Sequence, residues 1–561
     1  MRLADQTTPA RCRSGRPLAG RGPGRVCRNF VNDERGVTAV VFSILFAVLF
    51  FIVAIAVDYI GATRERQRQQ AAVDAAALAG SHYLGLADQD TAGPEAARKF
   101  FQENMGPGST AELDVQLDGD AGTIEASSDN KYLTRLLKAI VPVHLRRDHI
   151  DLNVRATVVK GDRVEVAMAL DNSGSMAGTK IDALKQAAKD AVSILFSGSD
   201  IAGDVKVGLV PFAASVKVGT AYQTANWLYK GPEAALSYPL FTGSSTQSRF
   251  DVLSQIGRSW AGCVEARPAP YDSSDAPADA DRVDSMFVPM FAPDEPDDAN
   301  ATNAGYRDDD YPNNYISDYG GTCPTPEQVC VSWRTRNGVK SCRTYGPAPM
   351  PVADAQNRAC KYSEASPSTS FEGPASGPNQ SCTTPAVTPL ASDQALLGTR
   401  IDALVASGNT NIAEGAAWAW RVLSPTAPFT EGRPYNDRSN KKIMIVMTDG
   451  DNMFATRSTH NASVYAAYGY GAQNRLSGTH SLSALNAALN ARTLSVCSNA
   501  KEDGITIYTI AFGTEISGTG LQLLEDCATS ERHAYIASDE TSLINTFQDI
   551  AREISRLRVA M

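Results

Sequence analysis

Asp171, Ser173 and Ser175 stand at alternate positions of D-N-S-G-S, directly after the apolar run V-E-V-A-M-A-L. A strand that ends in a tight turn can aim one carboxylate and two hydroxyls at one point, and oxygen donors of that kind suit a hard divalent cation. Two distant segments offer the same chemistry: Thr410 in G-N-T-N-I-A-E-G and Asp449 in I-M-I-V-M-T-D-G. Two carboxylates with retained waters predict Mg²⁺ as the ion, with Mn²⁺ or Ca²⁺ as substitutes. An open coordination position could accept an acidic side chain from a partner protein, or activate water for hydrolysis. Hydrolysis needs a general base, yet no motif ties a His, Glu or Lys to these residues, and G-x-S-x-G, H-E-x-x-H and the P-loop signature are missing. A binding site, not an enzyme, is therefore expected. Each piece alone also reads as local structure, D-x-S-x-S as a turn and helix cap and T-D-G as a strand-end turn. The ordered set points to the cation.

Such a site needs elements to hold it. Near-continuous apolar runs at 164–170, 205–212, 443–448 and 505–512 are those of strands covered on both faces. Between them, 180–196 places Ile181, Leu184, Ala188, Ala191 and Leu195 on one helical face, and Leu543, Phe547, Ile550 and Ile554 repeat the pattern near the end. Strands alternating with amphipathic helices predict an α/β domain with a mostly parallel sheet over 161–561. Ligands of such sheets gather at the carboxyl ends of strands, where Asp171 and Asp449 both fall. D-N-S-G-S at 171–175, T-N-I at 410–412 and T-D-G at 448–450 resemble, in type and order, the von Willebrand factor A family over 161–219 and 391–561. The resemblance implies a doubly wound sheet bearing a metal-dependent adhesion site. It implies that Ser173 and Ser175 coordinate through their hydroxyls, Thr410 directly or through water, and that Asp171 and Asp449 hold coordinated waters or approach the ion.

Residues from about 220 to 390 break the rhythm with Pro, Gly, Ser, Asp and Tyr, and read as an insertion in that domain. It holds six of the ten cysteines, Cys263, Cys323, Cys330, Cys342, Cys360 and Cys382, for which fifteen pairings are open. Disulfides would let a loop-rich segment hold its shape without a large core. Cys497 and Cys527 could close a further loop around the 505–512 strand. Zinc competes poorly, because there is no C-x-x-C pair and the six histidines are scattered. Twelve acids against Arg282 and Arg307 give 271–310 a local charge of −10, equal to the net charge of the 561-residue chain. The run D-D-D-Y-P-N-N at 308–314 lacks the EF-hand spacing and reads as a solvated acidic loop. No basic patch with interleaved aromatics stands out, so nucleic acid is not an expected partner.

Residues 37–57 carry no charge, and at ~1.5 Å per residue they span ~31 Å, enough to cross the hydrocarbon core as a transmembrane helix. Residues 1–35 hold eight Arg against three acids, whereas 58–74 sum to zero, so the positive-inside rule places the N-terminus in the cytoplasm and the rest outside it. Beyond the anchor, helix formers continue to about residue 86, interrupted by Gly61 and Gly80. Alternating segments at 112–117, 123–126 and 150–158 predict strands, with a helix over 131–140. D-E-R-G-V-T-A-V-V-F at 33–42, A-V-D-Y at 56–59 and Q-Q-A-A-V-D-A-A-A-L-A at 69–79 resemble the TadE/TadG family of tight-adherence (Flp) pilus assembly proteins.

The expected organisation is a cytoplasmic basic tail (1–36), a transmembrane helix (37–57), a small α+β pilin-like stalk (58–160) and a von Willebrand A domain (161–561) with a Cys-rich insertion. The resemblances imply a single-pass protein of a bacterial inner membrane with its C-terminal domain periplasmic or extracellular. It would bind a protein partner through Mg²⁺ at Asp171, Ser173, Ser175, Thr410 and Asp449, within pilus or Tad machinery or in adhesion. A metal-independent scaffold acting through the insertion, and a metal-dependent hydrolase, are the alternatives.

Overall fold

A computed structural model describes residues 37–559 apart from 82, 84–88, 108, 119–122, 142–147, 160–162, 198–202, 243–245, 308–309, 374 and 438. The basic tail, with Cys12 and Cys27, lies outside the described residues. Contacts divide the chain into two units, residues 1–160 and 161–561.

In the first unit, α1 (Val37–Ser81) is one unbroken helix of 45 residues, long and apolar enough in its first half to cross a membrane. Its second half changes character because small residues recur on one face. Ala72, Val73, Ala76 and Ala77 are buried against Ala97, Phe101 and Met105 of α2 (Gln89–Met105) and against Ala126 and Val154. The last two lie on an antiparallel sheet ordered β1 (Asp114–Asp118), β2 (Thr123–Leu133), β3 (His149–Val159). The two helical glycines are explained by close approach: a Cβ on Gly61 would stand 2.1 Å from the Tyr132 hydroxyl oxygen, and one on Gly80 2.3 Å from Ile124 Cδ1. The helix expected over 131–140 is shorter than the sequence suggests. Lys131 to Leu133 continue β2, paired opposite Asp151, Ile150 and His149, and only α3 (Leu136–Ile140) is helical. Cross-strand pairing outweighs helix propensity there.

The second unit is built on an eight-stranded sheet. Its strands are β4 (Arg163–Asp171), β5 (Val205–Phe212), β6 (Val216–Lys217) and β7 (Cys263–Val264), then, after the β8 (Gln328–Arg336) and β9 (Val339–Pro347) hairpin, β10 (Thr388–Ala391), β11 (Asn440–Thr448), β12 (Thr506–Phe512) and β13 (Ala534–Ala537). The order is β13-β12-β11-β4-β5-β6-β7, with β10 also on β5. β13, β12, β11, β4 and β5 are mutually parallel, while β6, β7 and β10 join antiparallel. Helices lie on both faces, as the apolar runs require. On one, Val166, Met168 and Leu170 meet α4 (Thr179–Phe196), α5 (Gln394–Asp402) and α9 (Glu540–Val559), with Ile181, Leu184, Ala188, Ala191, Leu195, Leu543, Phe547, Ile550 and Ile554 all buried there. On the other, Ala167, Ala169, Val210 and Phe212 meet α6 (Ile412–Leu423), α7 (Leu482–Glu502) and α8 (Gly518–Cys527).

The insertion is not loop held only by sulfur. Trp227, Leu228, Phe241, Trp260, Phe287, Phe291 and Tyr362 are buried in the same apolar cluster as the sheet. Cys263–Cys382, Cys323–Cys360 and Cys330–Cys342 pair within it, and Cys497 pairs with Cys527 across 30 residues. Part of its acidic stretch is buried. Asp272, Asp294 and Glu295 are buried, and Lys361 Nζ pairs with Asp294 at 2.7 Å and with Asp318 at 3.1 Å. In the 308–314 run Asp308 and Asp309 lie outside the described residues. Tyr311 and Asn313 are buried, with the Tyr311 hydroxyl 2.7 Å from His460 Nδ1. The exposed β8–β9 hairpin carries Arg334, Arg336, Lys340 and Arg343 without an acid between residues 328 and 347. Trp333 and Tyr345 are exposed on it and Lys340 stands 4.6 Å from the Trp333 ring. This is a basic, aromatic surface that the linear reading passed over.

Candidate metal centre

The strand β4 ends at Asp171 and β11 at Thr448, neighbours in a parallel pair, so both chains turn at the same edge of the sheet. Asp171 and Asp449 are fully buried there, and Ser173 is nearly so, while Ser175 is exposed. The Ser173 N–H donates to Asp171 Oδ1 at 2.7 Å, which tightens the turn and brings the two serine hydroxyl oxygens within 3.0 Å of each other. Ser175 Oγ donates to Asp449 Oδ1 at 2.6 Å. Four of the five predicted residues are thus joined in one hydrogen-bonded group, with Asp171 Oδ2 held at 2.6 Å by the Thr448 hydroxyl.

Thr410 arrives by another route. The loop before α6 is stitched to the Asp171 turn by the Gly174 N–H to the Gly408 carbonyl (2.8 Å), the Ser407 N–H to the Asn172 carbonyl (2.7 Å) and Asn172 Nδ2 to the Val405 carbonyl (2.8 Å). Gly408 sits at φ +93° with Thr383 Oγ1 3.2 Å from where a Cβ would be, a position only glycine takes easily. The Met453 N–H then donates to the Thr410 carbonyl at 2.8 Å, and the Thr410 hydroxyl oxygen lies 3.8 Å from a Cβ placed on Gly450. Thr410 therefore faces the Asp449 turn at the edge of the cluster. The insertion leaves the site alongside: Thr383 Oγ1 donates to the Ser407 carbonyl at 3.0 Å.

Two residues with roles here escaped the motif reading. Thr448 was visible only as part of T-D-G. Lys180 Nζ donates to Asp449 Oδ2 at 2.8 Å and to Glu515 Oε2 at 3.3 Å. A signal for it exists: a lysine in the first turn of α4 opposes the helix dipole unless an anion sits nearby. Burial pushes the Asp171 carboxyl up to about 6, against the hydrogen bonds from Thr448 and Ser173, and the charge of Asp449 adds to that rise.

The donor set fits a small hard cation on two grounds. Oxygens ~2.1 Å from an octahedral Mg²⁺ stand ~3.0 Å apart, the separation of the two serine hydroxyls. Two buried carboxylates are matched by one lysine, which leaves room for positive charge. Among the described residues no three His, Cys, Asp or Glu side chains converge, so hydroxyls are essential to any coordination here.

Residues 36–93 match the family model described as putative Flp pilus-assembly TadE/G-like. No curated protein matches the sequence. Among solved structures, the pilus adhesin of Lactobacillus rhamnosus GG is 11% identical, with 79% of this chain and 34% of that one covered and a TM-score of 0.29. This chain thus spans about a third of that protein's length. The von Willebrand factor domain of the type V pilus tip protein of Porphyromonas gingivalis is 12% identical, with 72% and 97% covered and a TM-score of 0.30. The pilus adhesin of Streptococcus pneumoniae is 9% identical, with 80% and 49% covered and a TM-score of 0.29.

Proposed function

We propose that this chain is a membrane-anchored, extracytoplasmic protein of Flp/Tad pilus assembly or surface adhesion. In this reading its second unit is a von Willebrand A domain that binds an acidic side chain of a partner protein through Mg²⁺. The observation that carries it is the convergence of Asp171, Ser173, Ser175 and Asp449 from two parallel strand ends, with the Thr410 loop stitched alongside. Ser173 and Ser175 would bind the ion by their hydroxyls, Asp171 and Asp449 would hold its waters, and Thr410 would close the rim. The ion supplies an open position for a carboxylate. Exposure of Ser175 leaves that side accessible. The TadE/G-like match over 36–93 supports the pilus context, and the charge asymmetry about residues 37–57 supports the orientation.

Titration of Mg²⁺ into the full chain tests the site. Ser173→Ala with Ser175→Ala is expected to weaken binding at least about tenfold; equal binding by wild type and variant sinks the assignment. A periplasm-active reporter fused after residue 561 is expected to be active, and silence contradicts the orientation.

A second reading has its own support. Lys180 already neutralises Asp449, and the β8–β9 hairpin offers four exposed cations, so the insertion could capture an anionic partner without metal. Deleting 328–347 then abolishes partner capture while the double serine variant keeps it. The metal-dependent reading predicts the reverse.

A further inference from the structure

The apolar segment of α1 ends at residue 57, and the next residue is fastened in place. Asp58 accepts the backbone N–H groups of Arg135 (3.1 Å), Leu136 (3.0 Å) and Leu137 (2.7 Å). Burial pushes its carboxyl up, but these donors outweigh that and hold it below the usual carboxylate range. The contact fixes α3 at the level where α1 leaves the apolar layer, although the two are 77 to 79 residues apart in sequence. Leu133 and Leu136 are exposed at 66% and 37%, and Tyr59 at 67%, the mixture of apolar and aromatic side chains that suits a membrane interface.

Beside them lies a cleft of about 680 Å³ lined by Arg68, Lys131, Arg135 and Lys138 against a single acid, Glu65, with Ser109 also in its wall. Lys131, Arg135 and Lys138 are exposed, while Arg68 Nη2 donates to the Met105 carbonyl at 2.7 Å, which sets it at the cleft edge. Height above the apolar layer follows from helix rise. Arg68 is 11 residues past residue 57, ~16 Å along α1, whereas α3 starts level with Asp58. The headgroup layer of one leaflet is ~5–7 Å deep, so the α3 rim stands inside it, while the Arg68 backbone stands ~9–11 Å beyond it. In sequence the segment 58–74 is neutral; the fold makes this place cationic by bringing residues 131–138 to it.

We propose that this cleft seats the headgroup of an anionic phospholipid in the leaflet at the residue-57 end of the apolar segment. Arg135 and Lys138 meet the phosphodiester, Lys131 faces the outward part of the headgroup, Arg68 marks the far edge of the cleft, and Leu133 and Leu136 enter the acyl boundary. Zwitterionic lipid lacks the net charge that four cations against Glu65 and the buried Asp58 select. The inference rests on the membrane-anchor part of the reading above and is independent of the metal site.

The test is native mass spectrometry of the full-length protein in detergent with phosphatidylglycerol or phosphatidylcholine added. Phosphatidylglycerol is expected to be retained in preference, and Lys131→Gln, Arg135→Gln and Lys138→Gln each to weaken retention about fivefold, the effect of one basic residue at an anionic surface. Equal retention of the two lipids overturns the proposal, as does undiminished retention by the triple variant. Displacement of the lipid by millimolar glycerol phosphate also overturns it, since the site would then read a soluble phosphate compound. Unchanged hydrogen-exchange protection of residues 69–77 shows that the variants fold, and Lys131→Gln alone, fully on the surface, serves if the triple does not. Extraction of the wild-type chain from membranes by alkaline carbonate refutes the anchor itself, an outcome separable from lipid selectivity.

Discussion

The two faces of the eight-stranded sheet are built on different physics. On the face covered by α4, α5 and α9, β4 sends out Val164, Val166, Met168 and Leu170 into a buried cluster of aliphatic and aromatic side chains, Tyr508 among them. On the opposite face the same strand sends out Glu165, which lies fully buried with Lys442 Nζ at 2.7 Å and Arg433 Nη1 at 3.0 Å. Further out on that side Arg249 is buried between Glu233 and Glu265, and Glu265 also pairs with Arg475 at 2.7 Å. Burial drives the Glu265 carboxyl up, yet Arg249 and Arg475 outweigh this and hold it below its usual range. The insertion and all four disulfides belong to the second unit, and Cys263, Cys382, Cys497 and Cys527 sit in the cluster of this ionic face. Both faces remove apolar area from water, and the second adds matched buried charges from distant segments.

The sharpest way to break this contrast is to unpair a charge. Arg249→Met leaves Glu233 and Glu265 buried without their shared cation, and an expected loss of ~3–5 kcal/mol should appear in the denaturation midpoint of the full chain. If the loss stays under ~1 kcal/mol, the ionic face is not a matched network. On the apolar face Leu184→Ala removes a fully buried side chain with no polar partner to strand. It is expected to cost ~2–4 kcal/mol, scaling with the cavity left behind. A leucine-to-methionine change there should be nearly silent at under ~1.5 kcal/mol.

A further effect is expected from pH. Burial lowers the His460 pKa to about 4, below its ordinary 6.5, so the native state holds it neutral beside the Tyr311 hydroxyl. The unfolded chain takes up a proton first as pH falls, so the contribution is complete above pH ~6.5 and is lost progressively down to pH ~4. Denaturation midpoints measured between pH 7 and 4.5 should fall, and His460→Gln should flatten that part of the slope. An unchanged slope would mean that His460 does not link the insertion to the 451–481 segment in this way.

The asymmetry of the sheet also explains what could be read in advance. Period-2 and period-3.6 patterns report burial in oil-like surroundings, so Ile181, Leu184, Leu543 and Phe547 were legible. Buried ions are not, because Lys361, Arg249 and Arg475 look like solvent-facing residues until their partners, 16 to 210 positions away, are brought beside them. The packing of the insertion is hidden for the same reason: its aromatic residues are aperiodic, yet Trp227, Phe287 and Phe291 pack into the sheet's own cluster. At the candidate site Asp171, Asp449 and the two serines could be named from strand ends and spacing, and Thr410 from the family resemblance, but Thr448 and Lys180 could not be assigned their bonds.

By itself, the sequence determined the apolar helix, the alternation of buried strands with amphipathic helices, and the residue types at Asp171, Ser173, Ser175, Thr410 and Asp449. These are local properties, set by side-chain chemistry and by periods of two and 3.6 residues. Tertiary structure alone decided which cysteines pair, which charges are buried, how Lys180 shares Asp449, and how residues 131–138 reach Asp58. Those are pairings over long separations, and no local rule selects a partner until chain closure has put two groups within a hydrogen bond of each other.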